Sequence, residues 1–180
     1  AIIFWYISDP NELWIPKLFN VLEEQERRVF TERIRYFLQN LSKDNINSNW
    51  DTWLKLYWQN RIKDIPKKLT DSEMQSMLNW LPHLGEKFTD GVEIAIKMRQ
   101  FKLNISGSFL HLDDLPKKYP EATAKLLIYL LECSPPHFFL HNLDDILGEL
   151  GASEISDEIA YALNQSLIRN GKGEIPNKNT

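Results

Sequence analysis

Four histidines and one cysteine bound the side-chain chemistry that this 180-residue sequence can offer. His111 stands just ahead of Asp113 and Asp114, after the glycine-bearing loop Ser106-Gly107-Ser108. A histidine beside carboxylates can relay a proton near neutral pH. The competing reading is stronger. Asp113 or Asp114 is suited to cap a short turn before Pro116, because aspartate is a preferred capping residue and proline fits a first helical turn. No strand pattern precedes Ser106-Gly107-Ser108, so that loop is neither a nucleophile elbow nor a phosphate cradle, and no GxGxxG or Walker motif occurs in the chain.

Cys133, His137 and His141 are spaced by four and, on one uninterrupted helix, would line a single face as metal ligands do. Pro135-Pro136 interrupts that helix between Cys133 and His137. His137 and His141 can still share a face, with Asp144 or Asp145 nearby. Phe138, Phe139 and Leu140 between them read as core, which makes the histidines half-exposed neighbours rather than ligands. The sequence therefore assigns no catalytic residue, metal or cofactor; His111, Asp113, His137 and His141 are its candidates.

A third pattern mixes aromatic and basic residues. Lys55, Arg61, Lys63, Lys67 and Lys68 interleave with Trp50, Trp53, Tyr57 and Trp58, a combination that can stack on bases and neutralise phosphates. The periodicity argues otherwise. The apolar positions 50, 53, 54, 57, 58, 62 and 65 form one stripe of an amphipathic helix, and most of the lysines lie off it. Trp50, Trp53 and Trp58 are thus expected in a helix–helix seam. Arg61 lies on the apolar side and is expected to be buried or half-buried beside a carboxylate, an aromatic face or backbone carbonyls, as a structural anchor.

Helices must position all these residues. The pattern predicts helices over 11–22, 23–41 and 50–65, the last ended by Pro66, and another over 71–81 behind the capping box Thr70-Asp-Ser-Glu73. On the 23–41 helix Val29, Phe30, Ile34, Phe37, Leu38 and Leu41 form the apolar face, and Glu23/Arg27 is one of its charge pairs. Asp90 to Glu93 repeats the capping device in weaker form. Residues 101–118 read as loop with short helical turns. Pro120 opens a helix over 120–133, and two more follow over 137–150 and 157–169, with Gly151 and Gly171 as stops. Strand alternation is confined to residues 1–7. Residues 81–92 can be laid over 112–123 at an offset of 31: Leu84 meets Leu115, Phe88 meets Tyr119, and Asp90 meets Glu121. Such a period suits stacked helical pairs. The expected fold is all-α, a HEAT-like α-solenoid or irregular helical bundle of about seven to nine helices over 1–170, with a polar flexible tail over 171–180.

Composition narrows the function classes. Hydrophobic residues make up 43% and charged residues 26%, so the chain can build a core and is not intrinsically disordered. The net charge of −4 argues against a dedicated nucleic-acid binder, which needs clustered cations. A single cysteine forbids an internal disulfide and fits the cytoplasm. No apolar run spans a bilayer, and the opening Ala1-Ile-Ile-Phe-Trp-Tyr-Ile7 has no signal-peptide character. The chain lacks an initiator Met, which leads us to expect a segment of a larger protein.

The Trp50–Arg61 helix, the Leu84/Phe88/Val92 segment and the run Tyr119-Pro-Glu-Ala-Thr-Ala-Lys-Leu-Leu-Ile-Tyr-Leu-Leu131 together carry a resemblance over most of residues 5–170. The chain resembles the helical C-terminal domain of unknown function found in large bacterial Sir2-type proteins implicated in antiphage defence. In such proteins a separate Sir2 domain would hydrolyse NAD, and the helical part would sense a target, regulate or assemble. That resemblance implies a non-catalytic interaction and regulatory module. Its expected partners are other domains of the parent chain, a phage or host protein, or a second copy of the chain. The alternatives from the residues themselves are a nucleic-acid-contacting helical module using the 55–68 cations, and a small hydrolase or metal enzyme with a His/Asp site.

Overall fold

A computed structural model describes residues 21–40, 55, 59, 77–97, 112–133, 142–173 and 175. Every regular element among the described residues is helical: α1 (Glu24–Asn40), α2 (Phe88–Lys97), α3 (Leu115–Lys118), α4 (Pro120–Cys133), α5 (Leu143–Ala152) and α6 (Asp157–Arg169). Two short 3₁₀ turns, Leu81–His83 and Gly85–Lys87, precede α2. The chain divides into two compact units, Ala1–Ile94 and Ala95–Thr180. An all-α class is therefore what the periodicity predicted. Residues 1–7 and the expected 11–20 stretch lie outside the described residues.

In the first unit, α1 begins where Glu26 reaches back to accept the Glu23 backbone N–H at 2.9 Å, the reciprocal half of a capping box. Its inward face differs from the expected one. Arg27, Thr31 and Ile34 are buried, whereas Val29 is 40% exposed. Arg27 does not form the surface pair drawn with Glu23. Its guanidinium donates to the Leu22 carbonyl, which lets a charged residue occupy an inward position. Lys55 and Gln59 are both helical, one turn apart within the predicted 50–65 helix. The helical backbone of the next element ends at Leu78 and turns at Asn79-Trp80, slightly before the expected boundary.

Met77, Leu78, Trp80, Leu81, Leu84, Phe88 and Val92 are all buried and supply apolar bulk to this unit. Gly91 makes that packing possible, because a Cβ there would run into the side chains of Leu84 and Leu81. Helix α2 starts at Phe88 rather than at an Asp90 cap. Asp90 lies in its first turn, where a carboxylate favours the helix N-terminus.

In the second unit, α4 is the central element. Ala122, Thr123, Ala124, Leu126, Leu127, Ile128, Tyr129, Leu130 and Leu131 are all buried, so the helix is enclosed along its middle, and Glu121, Lys125 and Glu132 form its one stripe toward water. Pro120 opens it as predicted, since its fixed φ suits a first helical residue. Helix α4 packs against α6 and α3, and α3 also packs against α5. Helix α5 begins at Leu143, after Asn142 takes the left-handed conformation (φ 60°) that interrupts a right-handed helix; residues 137–141 of the expected 137–150 helix lie outside the described residues. It also runs through Gly151 to Ala152. The stop is set instead by Ser153, whose hydroxyl donates to the Glu149 carbonyl at 2.7 Å.

Helix α6 ends as predicted, at Gly171. That residue has φ +65°, its N–H donates to Ile168 O at 3.0 Å, and the Lys172 N–H donates to Leu167 O at 2.9 Å. This pair of bonds is a Schellman stop. Beyond it the chain returns to α6: Ile175 is buried, and its N–H donates to Asn164 Oδ1 at 2.8 Å.

The offset of 31 has a local structural counterpart. The Leu84 N–H donates to Leu81 O at 3.1 Å, and the Leu115 N–H donates to Leu112 O at 2.7 Å, at equivalent places. Leu81, Leu84, Gly91 and Val92 are buried, as are Leu112, Leu115, Ala122 and Thr123. In both copies a tight turn carries two inward leucines into the start of a helix.

Candidate functional site

Of the residues singled out from sequence, His111, His137, His141, Arg61, Trp50, Trp53 and Trp58 lie outside the described residues. Asp113 is described. It is exposed and sits in a left-handed backbone (φ 34°), at the turn immediately before α3. Its neighbour Asp114 occupies the N-cap position of α3 without a side-chain cap bond. Asp114 Oδ2 pairs with Lys118 Nζ at 2.6 Å, one turn along. The pair thus shapes the entry to α3 through a surface ion pair, a contact worth about 0.3–0.5 kcal/mol. Cys133, at the end of α4, is in no disulfide and is half-buried. Among the described residues no group of three His, Cys, Asp or Glu side chains could hold a metal ion. No helix among them is long and apolar enough to cross a membrane.

The polar contact that sequence reasoning missed is Lys55 with Asp90. Lys55 Nζ pairs with Asp90 Oδ2, and the two side chains are 23% and 46% exposed. The residues are 35 apart in sequence, so no i,i+4 rule points to them. Their helical positions place Asp90 at the start of α2, facing a cation of the aromatic–basic helix. An ion pair of this exposure contributes about 1 kcal/mol or less. It also engages one of the cations that a nucleic-acid reading would need.

The largest departure from an ordinary surface lies on α5 and α6. Between residues 142 and 168 the sequence holds Asp144, Asp145, Glu149, Glu154, Asp157 and Glu158, and no lysine, arginine or histidine. All six carboxylates are exposed. Two of them open α5 and two open α6, where the helix dipoles favour negative charge and offset part of their mutual repulsion. Helix α6 buries Leu163, Ser166 and Leu167 on one side. On its opposite side Tyr161 is 68% exposed and Ile168 48% exposed. Tyr161 and Ile168 are two turns apart, so they share one face, and Asp157 precedes Tyr161 on it by a turn. At its far end, the Ser156 N–H before α6 donates to Glu121 Oε1 of α4 at 3.3 Å, which fixes where α6 starts. An aromatic and an aliphatic side chain in water, with Asp157 and Glu158 at one end of the helix and the exposed Arg169 beside Ile168 at the other, form a surface that can recognise a partner. The sequence signal was available as a 27-residue stretch without a cation, but reading helix by helix hides it.

No curated protein and no solved structure matches the chain. The model of one family, described as a domain of unknown function (DUF4020), matches residues 4–165.

Proposed function

We propose, since the chain belongs to the DUF4020 family of domains of unknown function, that this member is a non-catalytic interaction module whose binding surface is the outer face of α6. The observation that carries this reading is the exposure of Tyr161 and Ile168 within a carboxylate-only stretch. Tyrosine is enriched at recognition surfaces because it offers broad apolar contact at little entropic cost, together with a hydroxyl. Asp157 and Glu158 at the Tyr161 end select a partner with a basic group there and steer its approach. The occupant is therefore a cationic protein surface with an apolar centre, on another domain of a parent chain, on a phage or host protein, or on a second copy.

The resemblance to the helical part of Sir2-type defence proteins supports a setting in which this module senses a target or assembles an NAD-hydrolysing effector in the bacterial cytoplasm. The matched turns at Leu81–Leu84 and Leu112–Leu115 support a HEAT-like stacking of helical pairs.

Two measurements test the proposal. The parent gene should encode an effector domain on the same chain; a start codon and stop codon enclosing this domain alone overturn the defence setting. The double variant Tyr161→Glu/Ile168→Glu should abolish binding to that effector domain or co-purifying partner and leave the thermal midpoint within about 2 °C, as expected for exposed sites. Undiminished binding by a folded double variant overturns the assignment of the surface.

A further inference from the structure

The end of α6 holds an Asn170-Gly171 dipeptide in an unusual state of restraint. Asparagine followed by glycine is the sequence most prone to spontaneous deamidation, because no side chain hinders ring closure. The backbone nitrogen of Gly171 attacks Asn170 Cγ, a five-membered succinimide forms, and the amide nitrogen leaves as ammonia. Water then opens the ring at either carbonyl and leaves aspartate or isoaspartate at position 170. Solvent supplies the only co-reactant.

The attacking and the leaving nitrogen in that reaction are both engaged in the fold. The attacking nitrogen belongs to the N–H that donates to Ile168 O at 3.0 Å. The leaving group, Asn170 Nδ2, donates to Ser166 O at 2.8 Å. Asn170 keeps a near-helical backbone (φ −95°, ψ 12°), which holds the Gly171 nitrogen away from Cγ. The Lys172 N–H is tied to Leu167 O, and Ile175 is clipped to Asn164 three residues further on. Asn170 is half-buried and Gly171 exposed, so water reaches the site and chemistry is withheld by geometry rather than by burial.

We propose that Asn170 is a modification site gated by the Schellman stop and the Lys172–Ile175 return, and that it deamidates only when this end of α6 opens. The product does not restore the gate. Aspartate at 170 lacks the Nδ2 donor to Ser166 O and places a negative charge at a helix C-terminus, where the dipole opposes it. Isoaspartate adds a backbone carbon and breaks the register of the stop. Deamidation therefore converts a transient opening into a permanent release of the segment from Lys172 onward.

Peptide mapping by mass spectrometry, after incubation of the folded chain at mildly alkaline pH, tests this. The controls are a synthetic peptide covering residues 164–175 and the variants Asn164→Ala and Ile175→Ser. The peptide should deamidate rapidly at Asn170, and the folded chain at least about tenfold more slowly, in proportion to how seldom this end opens. Both variants should shorten that gap while circular dichroism stays helical. Urea well below the unfolding transition should do the same for the unmodified chain, which keeps the test valid if a variant does not fold. Deamidation of the folded chain at the peptide's rate overturns the proposal, as does a rate indifferent to both variants and to urea.

Discussion

Gly91 and Thr123 are both buried near the start of a helix, α2 and α4 respectively, and they make opposite predictions. At Gly91 any side chain meets Leu84 and Leu81, themselves buried. Gly91→Ala should therefore destabilise by roughly 1–3 kcal/mol, the usual cost of overpacking, instead of gaining from helix propensity. Urea denaturation measures this, and a stabilised Gly91→Ala would mean that the leucines yield. Thr123 is fully buried in α4, and its hydroxyl finds no hydrogen-bond partner among the described residues. Exchanging that hydroxyl for a methyl group removes a desolvated polar atom at nearly constant shape. Thr123→Val should be neutral or stabilise by about 1 kcal/mol, and a loss beyond that range would reveal a hidden hydroxyl partner. For Lys55 and Asp90, a double-mutant cycle should return a coupling of about 1 kcal/mol or less.

At the scale of elements, most helices were legible because their signals are local. Pro120 announces α4, and Gly171 announces the end of α6. The errors arose where a local signal was overruled. Gly151 reads as a stop, but a glycine within a helix costs only about 1 kcal/mol, and the Ser153 cap two residues later is a competent terminator. At Asn142, which tolerates the left-handed backbone better than most residues do, the expected 137–150 helix is interrupted just before α5. The α1 stripe was drawn through Val29 because apolar residues were assumed to point inward. The Leu22 carbonyl, which accepts from Arg27, is invisible to periodicity. These readings make Gly171 a sensitive position although it is exposed. Gly171→Ala should cost about 1 kcal/mol through its positive φ, whereas Gly148→Ala on α5, where a Cβ meets nothing, should be neutral or stabilise by up to about 1 kcal/mol. Paired thermal melts distinguish the two, and equal effects would contradict the terminator role.

Over the whole molecule, charge is unevenly written along the sequence. The chain carries −4 overall, yet residues 142–168 alone carry six carboxylates and no cation. Their repulsion is screened over about 10 Å at 0.1 M salt. Raising sodium chloride from low ionic strength should therefore raise the thermal midpoint, and substituting Asp144 and Glu149 by Asn and Gln should reduce that salt dependence. A midpoint that falls with salt would show that attractive pairs dominate. The candidate surface was harder to foresee than the fold, since it depends on which side of α6 faces water. The 3.6-residue period shows that α6 has two sides, and only packing against α4 decides which one Tyr161 occupies.

The enclosure of α4 has a consequence for how this protein can be observed. Where α4 is buried without interruption, from Leu126 to Leu131, it cannot lend its amide hydrogens to water by fraying sideways. Deuterium reaches this middle of α4 only when the helices around it depart together. The exchange rate there becomes a count of whole-unit openings, and its free energy is the stability of the second unit itself. A partner that closes over α6 would then be recorded at α4, as slower labelling of a helix it never touches.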